Sequence, residues 1–253
     1  MRALVKGLLL GVSVLALAAP AAVAHADDTP VTPQIINGED ATEAYSFMAS
    51  MQRRGTGGHF CGGALIRSTW VLTAKHCVST GGAAGYQVRI GSNNRTSGGT
   101  VAFADRVVHH PNADTALVRL TAPVSHRPIS VAPVVAAGST VRLLGWGCTS
   151  SPNCGPAPVN LKQVNVPVLA DSNSRCRTNQ WTICLDNQAG KSACYGDSGG
   201  PLLVGSPGNW TLGGDTSGGP SVCGTGVFYY AELQGAVNSW INSIAGPGIN
   251  PRR

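Results

Sequence analysis

The sequence predicts an all-β fold, and three observations support this prediction. Short apolar segments alternate with clusters of Gly, Pro, Asn and Ser, a pattern typical of a β-sandwich or β-barrel. The 253 residues include 33 glycines and 16 prolines, which favour turns over long helices. One segment alone has a clear helical period. The strand candidates are Phe47–Gln52, Gly62–Ile66, Gln87–Ile90, Thr100–Val108, Ala116–Leu120, Thr140–Gly145, Leu161–Val168, Pro201–Val204, Thr211–Gly213 and Gly226–Tyr230.

The single predicted helix lies near the C-terminus. Its apolar residues recur at the spacing of one helical face, and Gly246-Pro247 ends it. These residues are Leu233, Val237, Trp240, Ile241 and Ile244. The segment Ala122–Gly138 is rich in Pro, Val and Ala, and we interpret it as the crossover between two halves of the fold.

Residues 1–26 are predicted to be a secretory signal peptide. Arg2 and Lys6 precede the apolar run Gly7–Ala24, and Ala24-His25-Ala26 supplies a small-residue cleavage site. A membrane anchor is the alternative, but Pro20 and the many alanines make the run a poor span. We expect cleavage after Ala26 and a secreted, extracellular product that is free of the membrane. The alanine-rich segment also has a bacterial look.

Charge and cysteine content argue against two other classes of function. The net charge is +6, but no Lys/Arg cluster exceeds two residues, so we expect no nucleic-acid partner. Eight cysteines in an oxidising compartment favour four disulfides, although 105 pairings are open. No C-x-x-C pair is present, so we expect no metal site, and we expect no cofactor. The cysteines are Cys61, Cys77, Cys148, Cys154, Cys176, Cys184, Cys194 and Cys223.

Three separated features point to nucleophilic catalysis. In Gly196–Pro201 the glycines let the backbone turn tightly around Ser198 and aim N–H groups at a developing oxyanion. A serine hydroxyl needs a base, for which His76 is the candidate. Asp114, directly before an apolar strand, is a carboxylate that needs a partner and is the candidate to orient the base. Each feature alone also fits a turn or a core residue, but their order and flanks together favour a catalytic triad.

From Ile35 to about Ala245 the chain resembles the trypsin/chymotrypsin-like serine proteases. The resemblance implies two six-stranded antiparallel β-barrels, an active site between them and a C-terminal helix. It also implies a single protease domain, residues 35–253, that acts on polypeptide substrates. The matching segments are Ile35-Ile36-Asn37-Gly38, Cys61–Ile66, Val71–Cys77, the Asp114 segment, Gly145-Trp146-Gly147, Gly196–Pro201 and Gly226–Tyr229.

The resemblance implies the roles of the catalytic residues. Ser198 attacks the peptide carbonyl, His76 accepts and later returns the proton, and Asp114 orients the imidazole. The N–H groups of Gly196 and Ser198 are expected to form the oxyanion hole. An esterase on small substrates would use the same residues. A non-catalytic homologue that only binds partners is the other alternative, although such relatives have typically lost a triad residue.

Activation by proteolysis is also implied by the resemblance. Cleavage before Ile35 would free an amino group that turns inward and pairs with Asp197. Residues 27–34 would then be a short propeptide. Gln34 precedes this bond, so a trypsin-like activating enzyme is not expected.

The resemblance places the floor of the substrate pocket six residues before the nucleophile, at Ser192. Members that cleave after Arg or Lys carry Asp there, whereas Ser192 is neutral. With Ala193, Gly218 and Gly226 as further pocket residues, we expect an open, neutral pocket. Such a pocket favours a large apolar residue before the cleaved bond. An elastase-like preference for small residues is the alternative if the walls close in.

One segment near the pocket departs from the family pattern. The family's Ser-Trp-Gly is interpreted here as Thr216-Ser217-Gly218, within the altered segment 215–223. The missing tryptophan is expected to weaken the subsites beyond the pocket. The sequence does not show whether Asp215 faces inward.

Further expectations from the resemblance concern disulfides and partners. The pairs Cys61–Cys77, Cys176–Cys184 and Cys194–Cys223 are implied, which leaves Cys148 and Cys154 to form a local bridge. The stretch Gly91–Ala104 has no carboxylates, so we expect no calcium site. Protein protease inhibitors are candidate partners, and a monomer is expected.

Overall fold

The structure, a computed structural model, describes residues 35–176 and 179–248. The predicted signal peptide and propeptide, residues 1–34, lie outside the described residues. No helix in the described ranges is long and apolar enough to cross a bilayer. The strands are β1 (Glu39–Asp40), β2 (Met48–Arg53), β3 (His59–Arg67), β4 (Trp70–Thr73), β5 (Tyr86–Ile90), β6 (Thr100–His109), β7 (Ala116–Leu120), β8 (Thr140–Gly145), β9 (Lys162–Pro167), β10 (Thr182–Leu185), β11 (Pro201–Ser206), β12 (Asn209–Gly218) and β13 (Phe228–Glu232), and the α-helix is α1 (Gly235–Ala245).

The N-terminal half forms a closed six-stranded barrel. Its strands are joined in the order β2-β3-β4-β7-β6-β5, and every neighbouring pair is antiparallel. Along β5, Tyr86, Val88 and Ile90 are buried while Gln87 and Arg89 are half-buried. This alternation follows from the two-residue period of a strand, which places every second side chain inside the barrel.

The C-terminal half is a seven-stranded antiparallel sheet in the order β1-β9-β8-β11-β12-β13-β10. The ends of β9 and β10 meet at a bridge between Val168 and Leu185. Two hydrogen bonds flank this bridge: Leu169 N–H to Cys184 O at 3.0 Å and Asp186 N–H to Pro167 O at 3.1 Å. The six strands from β9 to β10 therefore curve towards a barrel that is closed by one short contact and not by a full ladder of hydrogen bonds. Strand β1 pairs with the outer edge of β9.

The all-β prediction with one C-terminal helix is confirmed. Helix α1 begins at Gly235, and it buries Val237 and Ile241 against the core as its apolar period predicted. The interpreted crossover lies between β7 and β8 and contacts both halves. Ile129 N–H donates to Leu65 O in the first barrel, and Ala132 N–H donates to Leu212 O in the second sheet.

Four disulfides link the chain, and their pairing is the one that the resemblance implied. They are Cys61–Cys77, Cys148–Cys154, Cys176–Cys184 and Cys194–Cys223. Two of them lie beside the candidate site, because Cys77 follows His76 and Cys194 precedes Ser198 by four residues. Each of these two disulfides restricts the conformational freedom of a loop that carries a candidate catalytic residue.

Candidate active site

The loops that carry His76 and Asp114 are brought together by the first barrel. His76 lies in a 3₁₀ turn, Lys75–Val78, directly after β4, and Asp114 lies directly before β7. β4 and β7 are antiparallel neighbours, so the end of β4 lies beside the start of β7. A backbone hydrogen bond from Lys75 N–H to Asp114 O, 3.2 Å long, continues this pairing into the loops.

The carboxylate of Asp114 holds His76 at two points. Its Oδ2 accepts from the His76 ring at Nδ1 over 2.8 Å, and its Oδ1 accepts from the His76 backbone N–H over 3.0 Å. With the proton on Nδ1, a neutral imidazole has its Nε2 lone pair free to act as a base. Nε2 lies 3.8 Å from Cys77 Sγ and belongs to the rim of a cleft that Ser198 also lines.

A third contact to Asp114 comes from the second sheet and was missed by the sequence analysis. Ser217 Oγ in β12 donates to Asp114 Oδ2 over 2.7 Å. Burial alone would raise the pKa of Asp114, but the hydrogen bonds from His76 and Ser217 outweigh burial and lower this pKa below its usual value. Asp114 is therefore held as an anion beside the imidazole, which stabilises an imidazolium during proton transfer.

The contact of Ser217 also changes the interpretation of the altered segment. The interpretation as Thr216-Ser217-Gly218 gives Thr216 the position of the family's serine, yet Thr216 Oγ1 donates to Gly200 O at 3.0 Å. A register one residue later, Ser217-Gly218-Gly219, keeps both the serine and the final glycine of the pattern. Gly219 lines the cleft together with Gly218, in agreement with this register.

Ser198 lies in a compact turn built on left-handed glycines. Gly196 has φ of +94° and Gly199 has φ of +73°, a backbone region that side chains disfavour. A Cβ on Gly199 would lie 2.2 Å from Thr73 Oγ1, so close packing also requires glycine there. Among the described residues, the backbone N–H groups of Gly196 and Ser198 have no hydrogen-bond partner. Both donors therefore remain available to a substrate oxygen.

The backbone of Gly196 is supported by a partly buried histidine that the sequence analysis did not single out. His59 in β3 contacts Gly196 O through Nε2 at 3.2 Å and Ser50 Oγ through Nδ1 at 2.9 Å. Its ring also packs edge-on against Trp146 at 5.6 Å. Burial lowers the pKa of His59 to about 4, so the ring is neutral at pH 7. A neutral ring with its proton on Nε2 donates to Gly196 O and accepts from Ser50.

Asp197 is a buried carboxylate without a cation among the described residues. Its oxygens accept from Gly147 N–H at 2.7 Å and from Cys194 N–H at 2.8 Å. Burial raises the pKa of Asp197 to about 7, and these two hydrogen bonds offset only part of that rise. At the start of the described chain, Ile36 forms a bridge with Ser192, and Ile35 is buried.

A cleft of about 390 Å³ opens between His76 and Ser198. Of the pocket residues predicted from the sequence, Ser192, Ala193 and Gly218 line this cleft, whereas Gly226 is not among its lining residues. Ser192 is 1% exposed, and its Oγ has no hydrogen-bond partner within the described part of the chain. The full lining is His76, Ser192, Ala193, Cys194, Tyr195, Ser198, Thr216, Ser217, Gly218, Gly219, Pro220, Cys223, Gly224 and Phe228, none of them acidic.

One group of metal-binding residue types lies beside the cleft in the described ranges: Cys61, His76 and Cys77. Both cysteines belong to one disulfide, so neither offers a thiolate. This group therefore supplies a single available ligand atom, on His76, and does not form a metal centre.

The chain is similar in sequence to known proteins of one family. A family model described as Trypsin matches residues 35–249. Trypsin alpha of Drosophila melanogaster is 34% identical over 190 residues, which cover 67% of this chain and 73% of that protein. Trypsin 5G1 of Aedes aegypti is 32% identical over 243 residues, which cover 84% of this chain and 85% of that protein. Both relatives are insect proteins, so the bacterial look of the N-terminal segment has no support from them.

Proposed function

Because the chain belongs to the trypsin family and is a serine endopeptidase, we propose that His76, Asp114 and Ser198 are its catalytic triad. The observation that carries this proposal is the doubly held His76–Asp114 pair on the rim of the cleft that Ser198 lines. In the substrate complex, Ser198 donates to His76 Nε2 and attacks the peptide carbonyl. His76 takes the hydroxyl proton and passes it to the leaving amine, which departs as the acyl-enzyme forms. Water then attacks the acyl-enzyme by the same route.

The unpartnered N–H groups of Gly196 and Ser198 are proposed to hold the oxyanion of the tetrahedral intermediate. Their freedom from other partners supports this role, because a preorganised donor needs no rearrangement as charge develops. Removing one such donor costs about 10²–10³-fold in turnover in comparable enzymes. His59 contributes indirectly, because its hydrogen bond to Gly196 O helps to set the orientation of this peptide segment.

Secretion and activation complete the proposal. Residues 1–26 are removed as a signal peptide, and residues 27–34 are removed as a propeptide, leaving an extracellular enzyme that begins at Ile35. The buried carboxylate of Asp197 has no cation partner among the described residues, and an amino group freed at Ile35 would supply one. Because Gln34 precedes this bond, a protease other than a trypsin-like one makes the cut.

We propose that the enzyme cleaves after large apolar residues. The relatives are named trypsins, which favours cleavage after Arg or Lys, but Ser192 and the rest of the lining offer no carboxylate to a substrate cation. Burying a cation without a partner costs several kcal/mol. An apolar side chain instead gains about 25 cal/mol for each Å² of apolar surface that is removed from water. The neutral, glycine-walled cleft therefore suits Phe, Tyr, Leu or Met.

A matched set of peptidyl p-nitroanilides ending in Phe, Leu, Ala or Arg tests this proposal. The protein is prepared to begin at Ile35, and Ser198→Ala is the control. We expect cleavage of the Phe and Leu substrates at least about 100-fold faster than that of the Arg substrate, since several kcal/mol separate the bound states. A preference for Arg would overturn the specificity, and a preference for Ala would support the small-residue alternative.

Labelling with a fluorophosphonate separates catalysis from binding. We expect one label per chain at Ser198, and none in Ser198→Ala, because only an activated serine reacts. A protein that begins at Ile35 but neither takes the label nor cleaves any substrate would be a non-catalytic homologue that binds partners.

A further inference from the structure

Asp215 is a buried acid behind the triad for which the proposed mechanism has no use. Asp215 lies in β12, between β11 and β13, and is fully inaccessible to solvent. Oδ1 accepts a hydrogen bond from Thr115 Oγ1 over 2.6 Å. Oδ2 is buried and has no hydrogen-bond partner within the described part of the chain. A polar group in this position is costly, so its presence needs a compensating contribution.

The partner of Asp215 is the residue next to the triad carboxylate. Thr115 directly follows Asp114, and its side chain is also buried. Asp215 and Ser217 are two residues apart in β12, and the ladder to β13 is interrupted by a β-bulge at Ser217. Ser217 donates to Asp114 at 2.7 Å, and Asp215 accepts from Thr115 at 2.6 Å. Two adjacent residues of the first barrel are thus held by two residues of one strand in the second sheet.

The two hydrogen bonds run in opposite directions between the same two segments. A single hydrogen bond permits rotation about its axis, whereas two bonds at different points fix both position and orientation. The strand that provides them is rigid, because Asp215 is paired with Pro201 in β11 and with Ala231 in β13. The Asp114 side is otherwise a loop between β6 and β7.

We propose that Asp215 is a positioning residue of the catalytic centre, which together with Ser217 clamps Asp114-Thr115 onto β12 and thereby fixes the ring of His76. This inference rests on the proposed function, since it assigns Asp215 to the triad proposed there. Asp215 acts through Thr115 and does not touch the substrate. Asp215 and Thr115 are not among the residues that line the cleft, whereas Ser217 is.

Asp215 performs this role as a neutral acid. Burial raises its pKa well above the usual value, and the negative charge of Asp114 raises it further. Tyr230 in β13 pairs with the neighbouring Thr216, and burial raises the pKa of its phenol, so that it also stays neutral. No cation forms an ion pair with Asp215 within residues 35–176 and 179–248. A neutral Oδ1 still accepts from Thr115, and no second buried charge opposes Asp114.

Four single variants of the mature enzyme, and the double variant Thr115→Val/Asp215→Leu, test the clamp. Thr115→Val and Asp215→Leu each break the hydrogen bond, whereas Asp215→Asn keeps an acceptor oxygen and removes the titration. Thr211→Val is the matched control, because it removes a threonine hydrogen bond to Val204 O from the same strand, away from the triad. Each protein is titrated for active sites with a fluorophosphonate before kcat and KM are measured, so that misfolded protein does not count. The NMR resonance of the His76 Nδ1–H proton gives a readout that does not depend on cleavage.

The clamp predicts a particular pattern across these variants. Thr115→Val and Asp215→Leu lower kcat roughly tenfold with KM unchanged, because a small misplacement of a catalytic group has a large effect on turnover. The double variant loses about the same factor as each single one, since both break one link. Asp215→Asn restores kcat to within about twofold, and Thr211→Val stays at the wild-type value. The His76 Nδ1–H resonance moves in the two link-breaking variants alone.

Other results would overturn the inference. If Thr115→Val and Asp215→Leu lower the melting temperature but keep kcat and the His76 resonance unchanged, Asp215 contributes to packing only. If Asp215→Asn shifts the acid limb of kcat/KM to lower pH, Asp215 carries a charge that favours the protonated imidazole, and the neutral role is wrong. If the wild type neither cleaves nor takes the label, the proposed function fails, while the NMR comparison still decides whether the clamp exists.

Discussion

The buried carboxylate of Asp197 predicts that the uncut and mature chains respond to pH in opposite ways. No residue within 35–176 or 179–248 forms an ion pair with this carboxylate, and burial raises its pKa from 3.8 to about 7. A rise of this size corresponds to about 4 kcal/mol of unfolding free energy. The perturbation is the single cleavage before Ile35, which adds an ammonium group without changing any side chain.

The sign follows from proton binding. Between about pH 4 and pH 7 the folded uncut chain keeps a proton on Asp197 that the unfolded chain releases, so stability is highest at low pH and falls as pH rises through this range. In the proposed mature chain we expect the amino group of Ile35 to favour the ionised carboxylate and to lower its pKa. The pair then stabilises the fold above the unfolded pKa of Asp197 and loses this contribution as pH falls.

Denaturant unfolding of both forms at pH 4, 5, 6 and 7 measures this effect. Both forms carry Ser198→Ala to prevent self-cleavage. We expect the unfolding free energy of the mature form to gain on that of the uncut form by about 4 kcal/mol from pH 4 to pH 7. His59 and Asp215 are present in both forms, so their contributions largely cancel in the difference. Asp197→Asn should remove most of the pH dependence of this difference between the two forms, because it removes the group that titrates differently in them.

Parallel pH profiles for the two forms would refute this reasoning. They would show that Asp197 already has a compensating charge in the uncut chain, or that the freed amino group does not reach it. A mature form that begins at Ile36 provides a second check, because its shorter chain carries the same charge at a different place. It should not reproduce the stabilisation.

Three further substitutions test the remaining parts of the site. Ser217→Ala removes a hydrogen bond to the Asp114 carboxylate worth about 1.5–3 kcal/mol, so kcat should fall roughly 10–100-fold in stopped-flow or steady-state assays. An unchanged kcat would count against the proposed role of Asp114. Ser192→Asp places a carboxylate on the floor of the cleft, so kcat/KM for the Arg substrate should rise and that for the Phe substrate should fall. Gly147→Ala puts a Cβ 2.4 Å from Asp197 Cγ and should destabilise the fold by about 1–3 kcal/mol in thermal unfolding, whereas Gly82→Ala, with no atom within 4 Å of its Cβ, should leave stability nearly unchanged.

Local chemistry made much of this protein predictable. Strands such as β5 and β7 were found because their apolar residues fit a strand and turn-forming residues bound them. The turn around Ser198 was found because glycines flank it in the sequence itself. Helix α1 was also found from a local pattern, because Val237 and Ile241 recur at the helical period within one segment. These features depend on neighbours a few residues away, and the sequence displays those neighbours directly.

The family resemblance predicted the site residues that lie within the family's sequence motifs. It did not predict the site residues outside those motifs. The pocket shows this limit. Ser192, Ala193 and Gly218 line the cleft, yet Gly226 does not, and the register of the altered segment follows from the contact of Ser217. A segment that departs from the family pattern can be aligned in more than one way, and only a contact chooses among them.

The sequence by itself determined the fold class, the predicted order of His76, Asp114 and Ser198, and the neutral residue at position 192. Tertiary structure alone decided what surrounds them. Ser217 reaches Asp114 across 103 residues, Asp215 reaches Thr115 across 100, and His59 reaches Gly196 across 137. No local pattern encodes such contacts, because they form only when the barrel and the second sheet pack together. Burial between the two sheets then sets the charge of each acid.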